Sequence, residues 1–286
     1  MFPVIVGLSS ALVYGAADFL GGTASRRISP VRVTAVAAIT GLVVLLVALP
    51  VVGGTWSREA VLLGALSGVT GAVAIGLLYA CLAIGPMSIL SPLTAVVSAI
   101  VPLTIGLAGG ERLGAIGYVA LVLALVAVVL VGFVPERGAV RPRLAGVAMA
   151  VGSGIAIGAF LVIIDQTPDD SGLVPLVLNR AVSGAILFAA AGVLALVALR
   201  RGVPDARGWR AGLTLAILCG VVDAAANTGL LLGLRLGELS VMAVLTALYP
   251  AGTIILAAVV LKERIAPVQI VGLVLAVAAG AMLALA

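Results

Sequence analysis

Residues 237–264 read GELSVMAVLTALYPAGTIILAAVVLKER, apolar over about one bilayer thickness and closed by Lys262, Glu263 and Arg264. Residues 85–112 read GPMSILSPLTAVVSAIVPLTIGLAGGER. The two stretches align without a gap at a constant offset of 152 residues, with eight identities in 28 positions. Gly85 meets Gly237, Ser88 meets Ser240, Leu93-Thr94-Ala95 meets Leu245-Thr246-Ala247, Ala99 meets Ala251, and Glu111-Arg112 meets Glu263-Arg264. A chain rich in Ala, Leu and Val matches itself often by chance, but not at Ser, Thr and Glu-Arg in one register. The chain therefore carries an internal repeat, and the functional site belongs where its two copies face each other.

Composition sets the solvent. Of 286 residues, 63% are hydrophobic and only 9% are charged, with a mean hydropathy of +1.36. Soluble domains are about half apolar and about a quarter charged, so the surplus here must face lipid. Apolar runs of about 20 residues recur, which is the length of a membrane-crossing helix rather than a barrel strand. There is no histidine, which excludes a His-based metal site, triad or proton relay. Cys81 and Cys219 both fall within apolar runs and read as small buried hydrophobes. The first twenty residues lack a basic leader and read as the first span. The net charge of +5 comes from loop arginines, the ordinary pattern of membrane proteins, so no nucleic-acid partner is expected.

Read in order, the chain gives ten segments of helical length, at about residues 3–22, 31–52, 60–84, 87–109, 113–134, 144–164, 173–199, 211–234, 239–261 and 267–286. Residues 1–134 form one five-span repeat, 135–143 a polar connection, and 144–286 the second repeat. Five is odd, so the second half enters from the opposite face and the repeat is inverted. The expected fold is an all-α polytopic membrane protein of two inverted five-helix repeats around a central cavity. The loops after odd-numbered spans hold eleven Lys and Arg, and those after even-numbered spans hold three. This count places the odd loops in the cytoplasm and both termini outside.

These residues resemble the EamA-type branch of the drug/metabolite transporter superfamily, over nearly the whole chain. The marks are residues 14–22 (YGAADFLGG), 83–86 (AIGP), 110–112 (GER), Asp223, Asn227, residues 248–250 (LYP) and 262–264 (KER). The resemblance implies ten helices, a central cavity, and export or exchange of small metabolites across a bacterial inner membrane, with amino acids the leading substrate class. It also implies cytoplasmic termini, against the charge count, which is followed here. No enzyme chemistry is expected: there is no nucleophile–base constellation and no metal cluster, and no cofactor is implied. The partners expected are a small-molecule substrate, the bilayer and a coupling proton, with oligomeric state left open. A lipid-linked flippase built on the same fold is the alternative.

Intramembrane charges carry the site expectations, since each costs about 2.5–3.5 kcal/mol at a helix centre. Asp223 lies near the middle of the eighth span with Asn227 one turn on. The pair reads either as a cation or proton site or as a buried polar tie between helices. Asp18, one turn after Tyr14, reads as a gate or proton site, or as an interfacial carboxylate held by Arg26 or Arg27. Arg180 reads as the partner of an acid such as Asp223, or as the receptor of a substrate carboxylate. Tyr79, Thr94, Ser98, Thr246 and Tyr249 supply rings and hydroxyls, with Thr94 and Thr246 repeat mates that a shared cavity would see from opposite walls. A helix hydroxyl also bonds its own backbone readily, which is the competing reading. Glu111 and Glu263 read as structural, paired with neighbouring arginines. The charge count predicts that Asp205→Cys, in a variant lacking Cys81 and Cys219, reacts with an impermeant thiol reagent only from the cytoplasmic side. Labelling from outside would reverse the topology.

Overall fold

The computed structural model describes residues 1–84, 87–132, 143–200, 210–262 and 264–285, and within them all side chains except those of residues 79, 82–84, 87, 88 and 91. The expected connection 135–143 apart from Arg143, residues 201–209 and Glu263 lie outside the described residues. The described chain is helical, with no β-strand. Its helices are α1 (Phe2–Ser25), α2 (Pro30–Val52), α3 (Arg58–Ile84), α4 (Met87–Ala108), α5 (Ala115–Gly132), α6 (Leu144–Asp165), α7 (Val174–Arg200), α8 (Arg210–Leu236), α9 (Leu239–Thr246), α10 (Tyr249–Val260) and α11 (Pro267–Leu285). Backbone polar groups have no water to bond in the bilayer core, so long apolar runs have no stable choice but the helix.

One expectation is corrected. The ninth span is not one helix over 239–261 but α9 and α10, with a turn at Ala247–Leu248. Pro250 has no N–H to offer the Thr246 carbonyl, and its ring crowds the turn before it. The chain tightens there: the Leu248 N–H bonds the Leu245 carbonyl at 3.1 Å, a three-residue step. In the other half Ser98 occupies the matching position, and α4 stays continuous through Pro92 and Pro102.

The packing has the symmetry of the repeat. Helix α1 packs on α8 and α10, and its counterpart α6 packs on α3 and α4. Helix α2 packs on α8, and α7 on α3; α2–α7, α4–α9 and α5–α11 meet their own counterparts. Exchanging each span for the one five places on returns these principal contacts, as a two-fold relation between the halves requires. Because each half crosses five times, that axis lies in the membrane plane. One bundle is α1, α2, α8 and α10; the other is α3, α4, α6 and α7. Each bundle therefore draws two helices from each half.

Small residues make this packing possible. A Cβ on Gly15 would sit 2.5 Å from the Tyr249 carbonyl oxygen and 2.6 Å from Gly252 Cα. In the counterpart contact, a Cβ on Gly154 would sit 2.8 Å from the Thr94 carbonyl oxygen. Lipid tails supply no hydrophobic force between helices, so close backbone approach is the main attraction available.

The loops after even-numbered spans interlock across the halves. The Thr55 N–H and hydroxyl donate to the Asp170 carbonyl and carboxylate at 3.0 and 2.8 Å, and the Leu173 N–H donates to the Gly53 carbonyl at 3.3 Å. Gly54 and Gly172, at φ of 148° and 47°, pass so closely that a side chain on either would strike the opposing backbone. Arg235 holds the neighbouring loop through the Thr167 carbonyl and hydroxyl, the Pro168 carbonyl at 2.8 Å and the Asp169 carboxylate at 2.9 Å. Glu111 does not pair locally with arginine, contrary to expectation. Its two carboxylate oxygens accept from the Leu239 and Ser240 N–H groups at 2.8 and 3.1 Å, capping α9 from the other half. The first N–H groups of a helix are unsatisfied and carry its positive end, so a carboxylate is the natural occupant. Burial and the nearby Glu111 carboxylate push the Glu238 carboxyl above its ordinary value.

Two glycines on α1 separate contact from propensity. Gly15→Ala must part α1 from α10 and is expected to cost about 1–3 kcal/mol of stability. Gly22→Ala meets nothing within 4 Å, so it should be neutral or gain up to about 1 kcal/mol. Thermal unfolding of the purified protein in detergent checks both signs.

Candidate functional site

Between the two bundles lies a cavity of about 160 Å³. One wall carries Tyr14 from α1, Thr34 and Ala38 from α2, and Asp223 and Asn227 from α8. The other carries Gly71, Ala74 and Ile75 from α3, Ile157 and Phe160 from α6, and Asn179, Arg180, Ser183 and Leu187 from α7. The lining is mostly apolar, with its charges gathered at one place.

That place is an ion pair across the cavity. Arg180 Nη2 lies 2.5 Å from Asp223 Oδ2, and both side chains are largely buried, at 15% and 21% exposure. Asp223 Oδ2 has no hydrogen-bond partner, so the arginine is what compensates it. Asp223 Oδ1 accepts from Asn227 Nδ2 at 3.2 Å, and the same amide donates to the Asp223 carbonyl at 2.8 Å. The four-residue spacing on α8 puts both on one face. The Arg180 stem passes Gly41 of α2, where a Cβ would stand 3.6 Å from Arg180 Cδ. Next to Arg180, Asn179 turns away and donates to Ser67 Oγ at 3.0 Å, tying α7 to α3. Ser183, one helical turn from Asn179, has a buried hydroxyl with no partner.

The sequence matches the EamA-like transporter family over residues 1–133 and 144–285, once for each half. The chain belongs to this family of drug/metabolite-type transporters. Among solved structures, a crystal structure 15% identical superposes with a TM-score of 0.76, covering 100% of this chain and 99% of that one. At that identity the likeness speaks to fold alone. Comparison with curated proteins returns no match.

In this EamA-like transporter the expected site residues divide. Asp223, Asn227, Arg180 and Tyr14 meet in the cavity. Asp18 does not line it but is exposed one turn further along α1, and no ion pair or hydrogen bond holds it among the described residues. Arg27, a suggested partner for it, donates instead to the Ala211 carbonyl at 3.4 Å. Tyr249 is half-buried at the start of α10 against α1, outside the lining. The side chain of Tyr79 lies outside the described residues.

The hydroxyl pair is a correction. Thr94 is buried at 1% exposure and donates to the Leu90 carbonyl at 3.0 Å and to the Ala150 carbonyl at 3.1 Å, joining α4 to α6. Ser98 bonds its own helix at Ala95. Thr246 ends α9 with a buried, unpartnered hydroxyl away from the cavity. Repeat mates need not share a surface when one helix is continuous and the other breaks. Ser183, Phe160 and Ile157 were not singled out from the sequence. Ser183 lies on the face of α7 that carries Asn179 and Arg180, and that three- to four-residue spacing was the available signal.

A double-mutant cycle tests the ion pair. Arg180→Leu and Asp223→Leu each leave a charge uncompensated in a largely apolar wall and should destabilise. The double variant should recover at least about 1 kcal/mol relative to the sum. Additive losses in thermal unfolding would show that the two charges do not depend on each other.

Proposed function

We propose that this protein is a secondary transporter of small zwitterionic metabolites, amino acids with apolar side chains above all, working by alternating access. The observation that supports this reading most is the Arg180–Asp223 pair, which spans the two bundles inside a cavity walled mainly by Ile75, Ile157, Phe160 and Leu187. A zwitterion carries the same two charges in reverse order. Its carboxylate would take the Arg180 guanidinium, its ammonium the Asp223 carboxylate, and its side chain the apolar wall. Neither protein charge is then stranded when the internal pair opens. Ser183 and Asn227 offer neutral hydrogen bonds beside them.

The interlocked even-loop face supports a cycle in which the cavity communicates with one side at a time. By the charge count that sealed face is the outer one of a bacterial inner membrane, and both termini lie on it. The arrangement then has its cavity directed toward the cytoplasm, as an exporter loading its substrate requires. Rocking of the two bundles would open the outer face by parting Glu111 from α9 and Thr55 from Asp170.

Purified protein in liposomes, offered labelled leucine, lysine and glutamate in turn, tests the reading. Leucine is expected to move, and the singly charged pair much less. Arg180→Gln should cut leucine transport by about ten- to a hundredfold, the loss of one charge-assisted contact. Equal transport of all three probes, or an Arg180→Gln variant that moves leucine normally, would overturn the zwitterion assignment.

A further inference from the structure

Helix α3 carries glycine at positions 64, 68, 71 and 76, and the four are not equivalent. A Cβ on Gly64 would stand 2.7 Å from the Pro175 carbonyl oxygen, and one on Gly68 would stand 2.7 Å from the Asn179 carbonyl oxygen. Those two glycines let α3 lie against the backbone of α7. Gly71 has no such duty. Beyond its own helix, a Cβ there would meet, among the described residues, only Asn179 Nδ2 at 4.0 Å, an ordinary contact. That amide is already engaged with Ser67 Oγ. Gly76 also meets nothing within 4 Å, but it does not line the cavity, whereas Gly71 does. Glycine inside a helix weakens it relative to alanine, and at Gly71 no neighbour requires the missing side chain. What its absence leaves is space within the cavity.

That space lies at the level of the charges. Gly71 is the middle residue of the 27-residue α3, and Asp223 is the middle residue of the 27-residue α8, in the opposite wall. Ala74 and Ile75 continue the Gly71 face one turn on, and Ile157 and Phe160 of α6 belong to the same wall. A zwitterion held through its two charges by Arg180 and Asp223 has its Cα beside the pair. Its side chain must then enter the room that the walls leave.

We propose that Gly71 is a specificity-determining residue: the space in place of its side chain receives the side chain of the substrate and limits its size. This rests on the transport reading given above. An isobutyl group, as in leucine, fills that space and is buried against Ile75, Ile157 and Phe160. The methyl group of alanine reaches little of it, so less apolar surface leaves water. A side chain introduced at Gly71 takes room from the substrate rather than from the protein, and large substrates suffer first.

Competitive uptake of labelled leucine and alanine into liposomes, with thermal unfolding of each variant in detergent, tests the assignment. Wild-type protein should favour leucine. Gly71→Ala should unfold no lower than wild type. Gly71→Val should lower kcat/KM for leucine about ten- to a hundredfold relative to alanine, with Gly71→Ala between the two. An unchanged leucine-to-alanine ratio, or equal loss of both substrates, overturns the proposal. If Gly71→Val does not fold, the ratio in Gly71→Ala decides in the same way. Failure of the wild-type protein to move either amino acid counts against the zwitterion reading, and a thiol probe then decides Gly71 alone. In protein lacking Cys81 and Cys219, Gly71→Cys should react with methyl methanethiosulfonate and far more slowly with the benzyl reagent. An unreactive thiol, or equal rates with both reagents, would overturn the size limit at Gly71.

Discussion

A guanidinium and a carboxylate at the depth of lipid tails cannot stand apart, and the arrangement of the site follows from that constraint. Arg180 is on α7 and Asp223 on α8, in different bundles, so their contact at 2.5 Å joins bundles across the cavity. A close helix crossing lies beside the pair. Gly220, one turn before Asp223, lets α8 lie against the backbone of α2 at Ala37. Asn227 steadies the carboxylate from its own helix. An ion pair held in this way is replaceable by a ligand of matching charge, whereas a single buried charge would have to be neutralised.

The same electrostatic logic closes the even-loop face by different means. There the compensating group is a helix end rather than a side chain. Glu111 spends both oxygens on the first two N–H groups of α9, and Arg235 gathers loop carbonyls that no helix satisfies. These contacts are polar, directional and near water, so they can be exchanged for hydration at modest cost. Close glycine crossings such as Gly15 on α10 cannot be exchanged that way, because nothing polar is gained when they part. The structure thus combines close crossings that hold each bundle together with polar contacts that join helix ends and loops.

The repeat between residues 85–112 and 237–264 was legible because Ser, Thr and Glu-Arg punctuate otherwise featureless apolar sequence. Span count, inversion and the membrane setting followed from length and hydropathy. Asp223, Asn227 and Arg180 stood out because charge and amide are costly at midspan. The sorting of the helices into two bundles that each mix both halves was not legible: it depends on which small residues meet, and Ala and Gly are spread over every span. The break at Ala247–Leu248 was missed because a proline inside an apolar run can be absorbed as readily as at Pro92 and Pro102. Thr94 and Thr246 misled for the same reason, since their equivalence in sequence assumed equal helices. Glu111 misled because its partner is a backbone end 128 residues away, invisible to any local pattern.

The scaffold is symmetric and the site is not. At the repeat offset of 152 residues the counterpart of Asp223 is Gly71, and both line the cavity. A symmetric pair of acids would face each other across an apolar gap and would have to share protons or bind a cation. With glycine on one side, that wall becomes open backbone beside Ala74 and Ile75, and the charge it would have carried is replaced by Arg180 from α7. Duplication therefore supplies two bundles related by one axis, and divergence at single positions supplies a cavity with one acidic and one basic wall. A substrate held between such walls has a preferred orientation. Because the two charged walls belong to different bundles, the Arg180–Asp223 contact is a tie between bundles as well as a charge pair.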